Sequence, residues 1–373
     1  MKVVIAGGGT AGHVYPGISI ADELSLEVPD SEIVFVGSGN GVEAELIPEA
    51  GYSFHPIDVK GLKRSLSLGN AGALLKASSA VRQLRHLFNK MMPEAVVGTG
   101  GYVSAPAVFA AYTQKIPTLI HEQNAFPGLA NKILSRLVDT VATSFPNGEE
   151  SFPKAKLVAF TGNPIRRKMI GAVRENAAEK FNLEKDKKTL LLFGGSQGAQ
   201  KINEAFIKSY DKFKSYEDLQ VIHITGKDHF ADICKRMRRL IDADKDKLRY
   251  QAHPYMSNIN EAYAAADLCL CRAGATSVAE ITALGVPSVL VPYPHATGNH
   301  QEKNARYLEK NGATTILTDE ELTGQSLFDV CSKLLYDDKA LIDMKNNAQK
   351  IGKPYAANDI AKLVNGLSHK LKI

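Results

Sequence analysis

Two glycine-rich stretches in this chain have the residue types needed to hold an anion. Gly7-Gly8-Gly9-Thr10-Ala11-Gly12-His13 follows the apolar run Lys2 to Ala6, and Gly194-Gly195-Ser196-Gln197-Gly198-Ala199 follows Thr189 to Phe193. Glycines placed directly after a buried strand let backbone N–H groups approach a phosphate, and the helix that follows turns its positive end toward the charge. Each stretch taken singly also reads as a tight strand-to-helix turn. Their recurrence about half a chain length apart strengthens the anion-binding reading. A third segment adds a carboxylate. Cys271-Arg272-Ala273-Gly274-Ala275-Thr276-Ser277-Val278-Ala279-Glu280 places Glu280 less than two turns into a helix opening after a strand. A carboxylate there can accept from both hydroxyls of a ribose while the helix N-terminus faces an attached diphosphate. The plainer alternative is a glutamate that merely favours the early turns of a helix.

Dinucleotide redox chemistry fits poorly. It calls for an acidic residue closing the second strand of the nucleotide-binding unit. Here that strand ends Phe35-Val36-Gly37-Ser38-Gly39, and its counterpart in the second half ends Ile224-Thr225-Gly226-Lys227. There is no Walker A lysine pattern.

The repeated order of strand, glycine loop and helix predicts two similar α/β domains with parallel sheets. The first sheet is expected to continue through Ile33–Val36, Val96–Val97, Thr118–Ile120 and Val141–Ala142, with its first helix beginning near Pro16. The second is expected to use Val221–Thr225, Leu268–Cys271 and Ser288–Val291. Turn residues at Gly162-Asn163-Pro164 set the expected junction, giving domains 1–163 and 164–353. A helix over 354–373 is expected to pack back on the first domain.

A chain of 373 residues with 44% hydrophobic and 23% charged residues is long enough for two cores and too apolar for extensive disorder. Cys234, Cys269, Cys271 and Cys331 form neither a zinc spacing nor a disulfide framework, which fits a reducing cytoplasm. Met1 to Ala6 is too short an apolar region for a secretory signal. The uncharged stretch Ala95 to Gln114 has the length of a membrane span, but Gly98, Gly100, Gly101, Ser104 and Pro106 make it a strand, a glycine turn and a short helix. The net charge of +5 is compatible with an anionic ligand or membrane surface, and no motif supports nucleic acid.

Taken in order, GGGTAGHVYPG from Gly7, GTGGYVSAP from Gly98, HEQNAFPG from His121, GNPIR from Gly162, GGSQGA from Gly194 and CRAGATSVAE from Cys271 make the chain resemble the MurG family of UDP-GlcNAc transferases over nearly its whole length. The resemblance implies a GT-B architecture, two Rossmann-like domains with parallel sheets facing across a deep cleft. Donor nucleotide would bind mainly to the C-terminal domain and lipid-linked muramyl-pentapeptide acceptor mainly to the N-terminal one. It further implies that Ser196 and Arg166 hold the diphosphate, Glu280 the ribose, and Tyr255 and Met256 the uracil. Ala275, Thr276 and Ser277 would line the donor site, and Asn124 and Gln301 would contact the GlcNAc sugar. Thr10, Ala11, Gly12 and His13 would line the catalytic side. The implied reaction is an inverting transfer to the acceptor 4-hydroxyl that uses neither cofactor nor metal. His13 is the candidate base, since an imidazole near neutrality suits proton removal; a histidine that only caps or packs the first helix is the alternative.

Between Leu62 and Met91, Leu74, Ala77, Val81, Leu84, Phe88 and Met91 recur at helical spacing among Lys63, Arg64, Lys76, Arg82, Arg85 and Lys90. Such a segment can rest on an anionic bilayer or form an ordinary domain helix with a solvated basic face. The resemblance favours a peripheral role on the cytoplasmic face of the bacterial plasma membrane. Competing expectations are another GT-B glycolipid transferase and a UDP-GlcNAc epimerase of related fold.

Overall fold

A computed structural model describes residues 1–59, 68–195 and 198–369, with only the backbone described over 68–76. The chain divides into two compact units, Met1–Arg167 with Lys353–Ile373, and Lys168–Gly352.

The strands of the first unit are β1 (Lys2–Gly7), β2 (Glu32–Ser38), β3 (Ser53–Ile57), β4 (Ala95–Gly100), β5 (Thr118–Glu122), β6 (Thr140–Thr143) and β7 (Val158–Phe160). They form one parallel sheet in the order β3-β2-β1-β4-β5-β6-β7. The helices between them are α1 (Ala11–Glu27), α2 (Glu43–Glu49), α3 (Leu68–Met91), α4 (Gly101–Thr113), α5 (Leu129–Leu134) and α6 (Gly148–Ser151).

Val3, Val4, Ile5 and Ala6 are all buried, the near-continuous apolar run of a strand covered on both faces. Alternation sends Val3 and Ile5 to a core with Ile18, Ile20 and Leu24 of α1, while Val4 and Ala6 meet Leu84 and Phe88 of α3 and Val103 and Ala107 of α4.

The second unit contains α7 (Arg174–Lys180), β8 (Lys188–Phe193), α8 (Gln200–Phe213), β9 (Leu219–Ile224), α9 (Lys227–Leu240), β10 (Arg249–His253), α10 (Ile259–Ala265) and β11 (Leu268–Cys271). It continues through α11 (Ala275–Leu284), β12 (Ser288–Leu290), α12 (His300–Lys310), β13 (Thr315–Ile316), α13 (Gly324–Leu335) and α14 (Asp338–Ile351). Its parallel sheet runs β10-β9-β8-β11-β12-β13. Leu190 and Leu192 of β8 pack with Phe206, Tyr210 and Phe213 of α8 and with Leu327 and Cys331 of α13. The last helix, α15 (Ala356–His369), belongs to the first unit and inserts Ile360, Ala361, Val364 and Leu367 beside α1.

Two sequence expectations change. The first helix begins at Ala11, not near Pro16, which sits inside it. Thr10, extended at φ −147° and ψ 153°, ends the loop, so the helix starts immediately after the glycines. Proline removes only the N–H that would reach back to Gly12. The apolar face of the basic helix is also already used. Leu84 and Phe88 are buried in the first core, with Val81 and Met91 packed against it. Arg82, Arg85 and Lys90 stay exposed. Lys63 and Arg64 lie outside the described residues. No helix among the described residues is long and apolar enough to cross a membrane.

Candidate active site

In an open parallel sheet, ligands gather beyond the carboxyl ends of the strands where the strand order reverses. In the first unit that point lies between β1 and β4, flanked by the loops Gly7–Thr10 and Gly100–Tyr102. His13, in the first turn of α1, is half-buried there. Its Nδ1 lies 3.1 Å from the Gly8 carbonyl oxygen and 3.2 Å from Thr10 Oγ1. A carbonyl only accepts, so the Gly8 contact makes Nδ1 the protonated nitrogen of the neutral ring and leaves the lone pair on Nε2. Gly100, at φ +106°, makes room for that ring: a Cβ there would stand 2.7 Å from His13 Cδ2 and 3.1 Å from Nε2. Thr99 Oγ1 donates to the His13 carbonyl at 2.8 Å, tying the helix start to β4. Ala11 is half-buried and Gly12 exposed beside it.

The loop after β5 is organised by Glu122. Its buried carboxylate accepts from Asn124 N at 3.0 Å, Gly128 N at 3.1 Å and Asn131 Nδ2 at 2.8 Å. Asn124 Nδ2 stands 3.4 Å from the same group, so the candidate sugar contact is presented by a preformed loop. Burial pushes the Glu122 pKa up, against the lowering effect of these donors. His121 is buried with Nε2 at 3.2 Å from both the Gly162 carbonyl and Ser144 Oγ. Burial lowers its pKa to about 4, so it is a neutral structural histidine near pH 7. Gln123 Nε2 donates to the Thr99 carbonyl, linking this loop to the one after β4. Arg166 falls in the first unit, its guanidinium 4.7 Å from the ring centre of Tyr15 on α1.

The second unit repeats the pattern, with its switch point between β8 and β11. The β8 loop carries Gly194, Gly195 and Gly198; Ser196 lies outside the described residues. Beyond β11, Gly274 caps α11 in extended conformation without a side-chain cap, and Ala275, Thr276 and Ser277 form the first turn. Thr276 Oγ1 is buried without a hydrogen-bond partner. Glu280, 5% exposed, accepts from Tyr263 Oη at 3.2 Å. Burial, followed by the nearby Glu280 charge, raises the Tyr263 pKa well above 10, which keeps it a donor. Tyr255, exposed after β10, lies under Lys227 Nζ at 5.3 Å, and Met256 is half-buried beside it. Gln301 Oε1 accepts from Tyr293 N at 2.9 Å, joining α12 to the loop after β12.

Two participants had no clear sequence signal. Tyr263 precedes its partner by 17 residues on another helix. Glu43 reads in the sequence only as an acid favourable to a first helical turn, yet its carboxylate accepts from Gly9 N at 2.9 Å. One amide of the first glycine loop is therefore already paired with a carboxylate from α2.

Two parallel α/β sheets, each with glycine-rich loops at its switch point, are the domains of a GT-B fold, and the family matches make the chain a glycosyltransferase of that class. The glycosyltransferase family 28 N-terminal domain matches residues 3–143, and the family 28 C-terminal domain matches residues 189–363. The chain is 44% identical over 367 residues to the UDP-N-acetylglucosamine–N-acetylmuramyl-(pentapeptide) pyrophosphoryl-undecaprenol N-acetylglucosamine transferase of Halothermothrix orenii, covering 98% of each. It is 42% identical over 372 residues to the transferase of the same name from Thermoanaerobacter sp., covering 99% of this chain and 100% of the relative. The crystal structure of Acinetobacter baumannii MurG superposes with a TM-score of 0.79 at 29% identity, covering 98% of this chain and 99% of that one. The chain belongs to the MurG family of UDP-GlcNAc transferases. A UDP-GlcNAc 2-epimerase from Neisseria meningitidis shares the fold at a TM-score of 0.67 but only 16% identity, covering 99% of this chain and 100% of that one.

Proposed function

We infer that this protein transfers GlcNAc from UDP-GlcNAc to the 4-hydroxyl of the muramyl sugar in undecaprenyl-pyrophosphoryl-MurNAc-pentapeptide, converting lipid I to lipid II for peptidoglycan synthesis. The observation that carries the reading is 44% identity across 98% of both chains to a transferase of that name. The reaction is a single displacement with inversion. The acceptor oxygen bonds to the anomeric carbon as the bond from that carbon to the UDP oxygen breaks. His13 Nε2 takes the hydroxyl proton, and the electron pair leaves on UDP. General-base assistance of this kind contributes about 10²–10⁴-fold.

In this reading Glu280 holds the ribose hydroxyls, with Tyr263 fixing one carboxylate oxygen. The first turn of α11, with Ala275, Thr276 and Ser277, Arg166 and the loop bearing Ser196 stabilise the charge that develops on the diphosphate. Tyr255 and Met256 flank the uracil. Asn124 and Gln301 contact the sugar. The acceptor belongs to the first unit, near Thr10, Ala11 and Gly12.

The protein works at the cytoplasmic face of the plasma membrane. Support comes from exposed apolar side chains of the first unit, Phe109 and Tyr112 of α4 and Leu129 and Ile133 of α5, Leu129 by 75% and Ile133 by 57%. Arg82, Arg85 and Lys90 of α3 and Lys115, Lys132 and Arg136 are further cations of this unit. Apolar side chains entering the headgroup region and cations attracted to anionic lipid act together in such an anchor.

The test is UDP release from UDP-GlcNAc with and without a short-chain lipid-linked muramyl-pentapeptide. Acceptor-dependent release together with a disaccharide product is expected. Conversion of UDP-GlcNAc to its 2-epimer in the absence of acceptor would overturn the transferase reading.

A further inference from the structure

We propose that Glu43 is a positioning residue for His13, acting on it through the peptide group between Gly8 and Gly9; the proposal rests on the reading of His13 as the base. Glu43 opens α2 and is fully buried. Its Oε1 accepts from Ser38 N at 3.0 Å and its Oε2 from Gly9 N at 2.9 Å, so one carboxylate joins the loops after β1 and β2. Both loops are shaped around it. An alanine Cβ at Gly8 or Gly41 would collide with the Glu43 carboxylate, and one at Gly37 would stand 2.8 Å from its Cγ.

The Gly9 N–H and the Gly8 carbonyl are two ends of one planar group, so orienting the first orients the second. Glu43 holds the N–H end, and His13 Nδ1 meets the carbonyl end at 3.1 Å. The result is a carboxylate–peptide–imidazole relay with no proton passing along it. An anion on the N–H polarises the peptide and makes its carbonyl a stronger acceptor. That favours the tautomer with Nδ1–H, aims the lone pair from Nε2, and stabilises the imidazolium formed as the acceptor attacks. A carboxylate can work this way on a histidine without touching it.

Glu43→Gln keeps the shape but puts an NH₂ group against one of two N–H donors. With UDP-GlcNAc and a short-chain lipid-linked muramyl-pentapeptide, kcat should fall by up to about 10²-fold, the scale of a misplaced reacting group. Donor KM should be unchanged. Because the imidazolium loses stabilisation, the acid limb of the pH–rate profile should move to lower pH. In a His13→Ala background, Glu43→Gln should lower kcat no further. The ¹⁵N shifts of a labelled His13 ring should move from the Nδ1–H form toward a mixture of tautomers. Unmoved ring shifts would overturn the proposal whatever the fate of His13 as base. Losses that multiply in the double variant would likewise assign Glu43 an independent structural role. Near-normal turnover in His13→Ala alone would remove the base reading, while the ring shifts would still report on the relay. Should Glu43→Gln fail to fold, Gly41→Ala, which displaces the carboxylate without deleting it, should show the same kcat loss and limb shift; an unchanged profile in that folded variant would overturn the proposal.

Discussion

The two glycine loops follow equivalent strands at equivalent switch points, yet they are furnished differently. In the first, the Gly9 N–H is paired with the buried Glu43 carboxylate. In the second, Gly198 N turns back to the Gly195 carbonyl at 3.1 Å, and among the described residues no carboxylate oxygen accepts from Gly194, Gly195, Gly198 or Ala199. A loop whose amide is taken by a buried side chain is a scaffold for its neighbours, and in the proposed function the second loop instead turns toward the donor diphosphate. The signature of strand, glycines and helix is thus permissive, and a residue from a third segment decides its use.

The largest effect should come from the scaffolding side. His13→Ala is expected to lower turnover by about 10²–10⁴-fold with donor affinity unchanged. Acceptor titration alongside turnover separates a lost base from a disturbed binding surface. Near-normal turnover at saturating acceptor would leave the first loop without its proposed chemical role.

Acid should weaken both units for one reason. Burial lowers the pKa of His121 to about 4 and that of His223 to about 3, from 6.5 for an unhindered ring. The unfolded chain therefore binds protons first as pH falls below about 6.5, and stability is lost until the folded-state values are reached. The loss approaches about 1.4 kcal/mol per histidine for each pH unit in that window. Denaturant melts from pH 7 to pH 4 should show it, and replacing His121 by Gln should flatten the dependence in the first unit. Equal slopes in the two proteins would mean that His121 titrates normally.

On the ligand side, Glu280→Gln exchanges a charge-assisted contact for a neutral one and should weaken donor use by roughly 1.5–3 kcal/mol. Donor titration and thermal melting belong together here. Unchanged donor kinetics would take Glu280 out of the site, and a collapsed melt would make it structural. The smallest effect is expected at the membrane-facing surface. Neutralising Arg82 and Arg85 should cost about 1 kcal/mol per cation in binding to anionic vesicles, with UDP binding spared. Added salt should mimic the change, and sedimentation identical to that of the unaltered protein would remove α3 from the anchor.

Much of this organisation is written locally. The apolar runs Lys2–Ala6 and Thr189–Phe193, each followed by glycines, predict β1 and β8 and hence the duplicated architecture, because a parallel strand buried on both faces is continuously apolar. The edge strands β3, β10 and β13 were not legible, since Ser53–Ile57 and Arg249–His253 are only partly buried and lack that run. The first-turn position of Ala275, Thr276 and Ser277 and the place of Glu280 less than two turns into α11 follow from the spacing after Leu268–Cys271. Glu43 did not, because its partner lies 34 residues away and nothing local distinguishes it from Glu45 on the same helical turn. The amphipathic stripe of α3 was visible, but periodicity alone could not say that Leu84 and Phe88 face α4 and not a bilayer.

The return of α15 to the first unit has a consequence for how the protein is made. Ile360, Val364 and Leu367 complete a core whose other members, Val3, Ile5 and Leu24, leave the ribosome more than three hundred residues earlier. The second unit is continuous in sequence and can gather its contacts as soon as it emerges, whereas the first waits with part of the core between β1 and α1 uncovered until α15 has emerged. A chain stopped after Gly352 would retain every candidate site residue and still display the apolar patch that α15 covers, making it a substrate for chaperones and proteases before it could act as an enzyme.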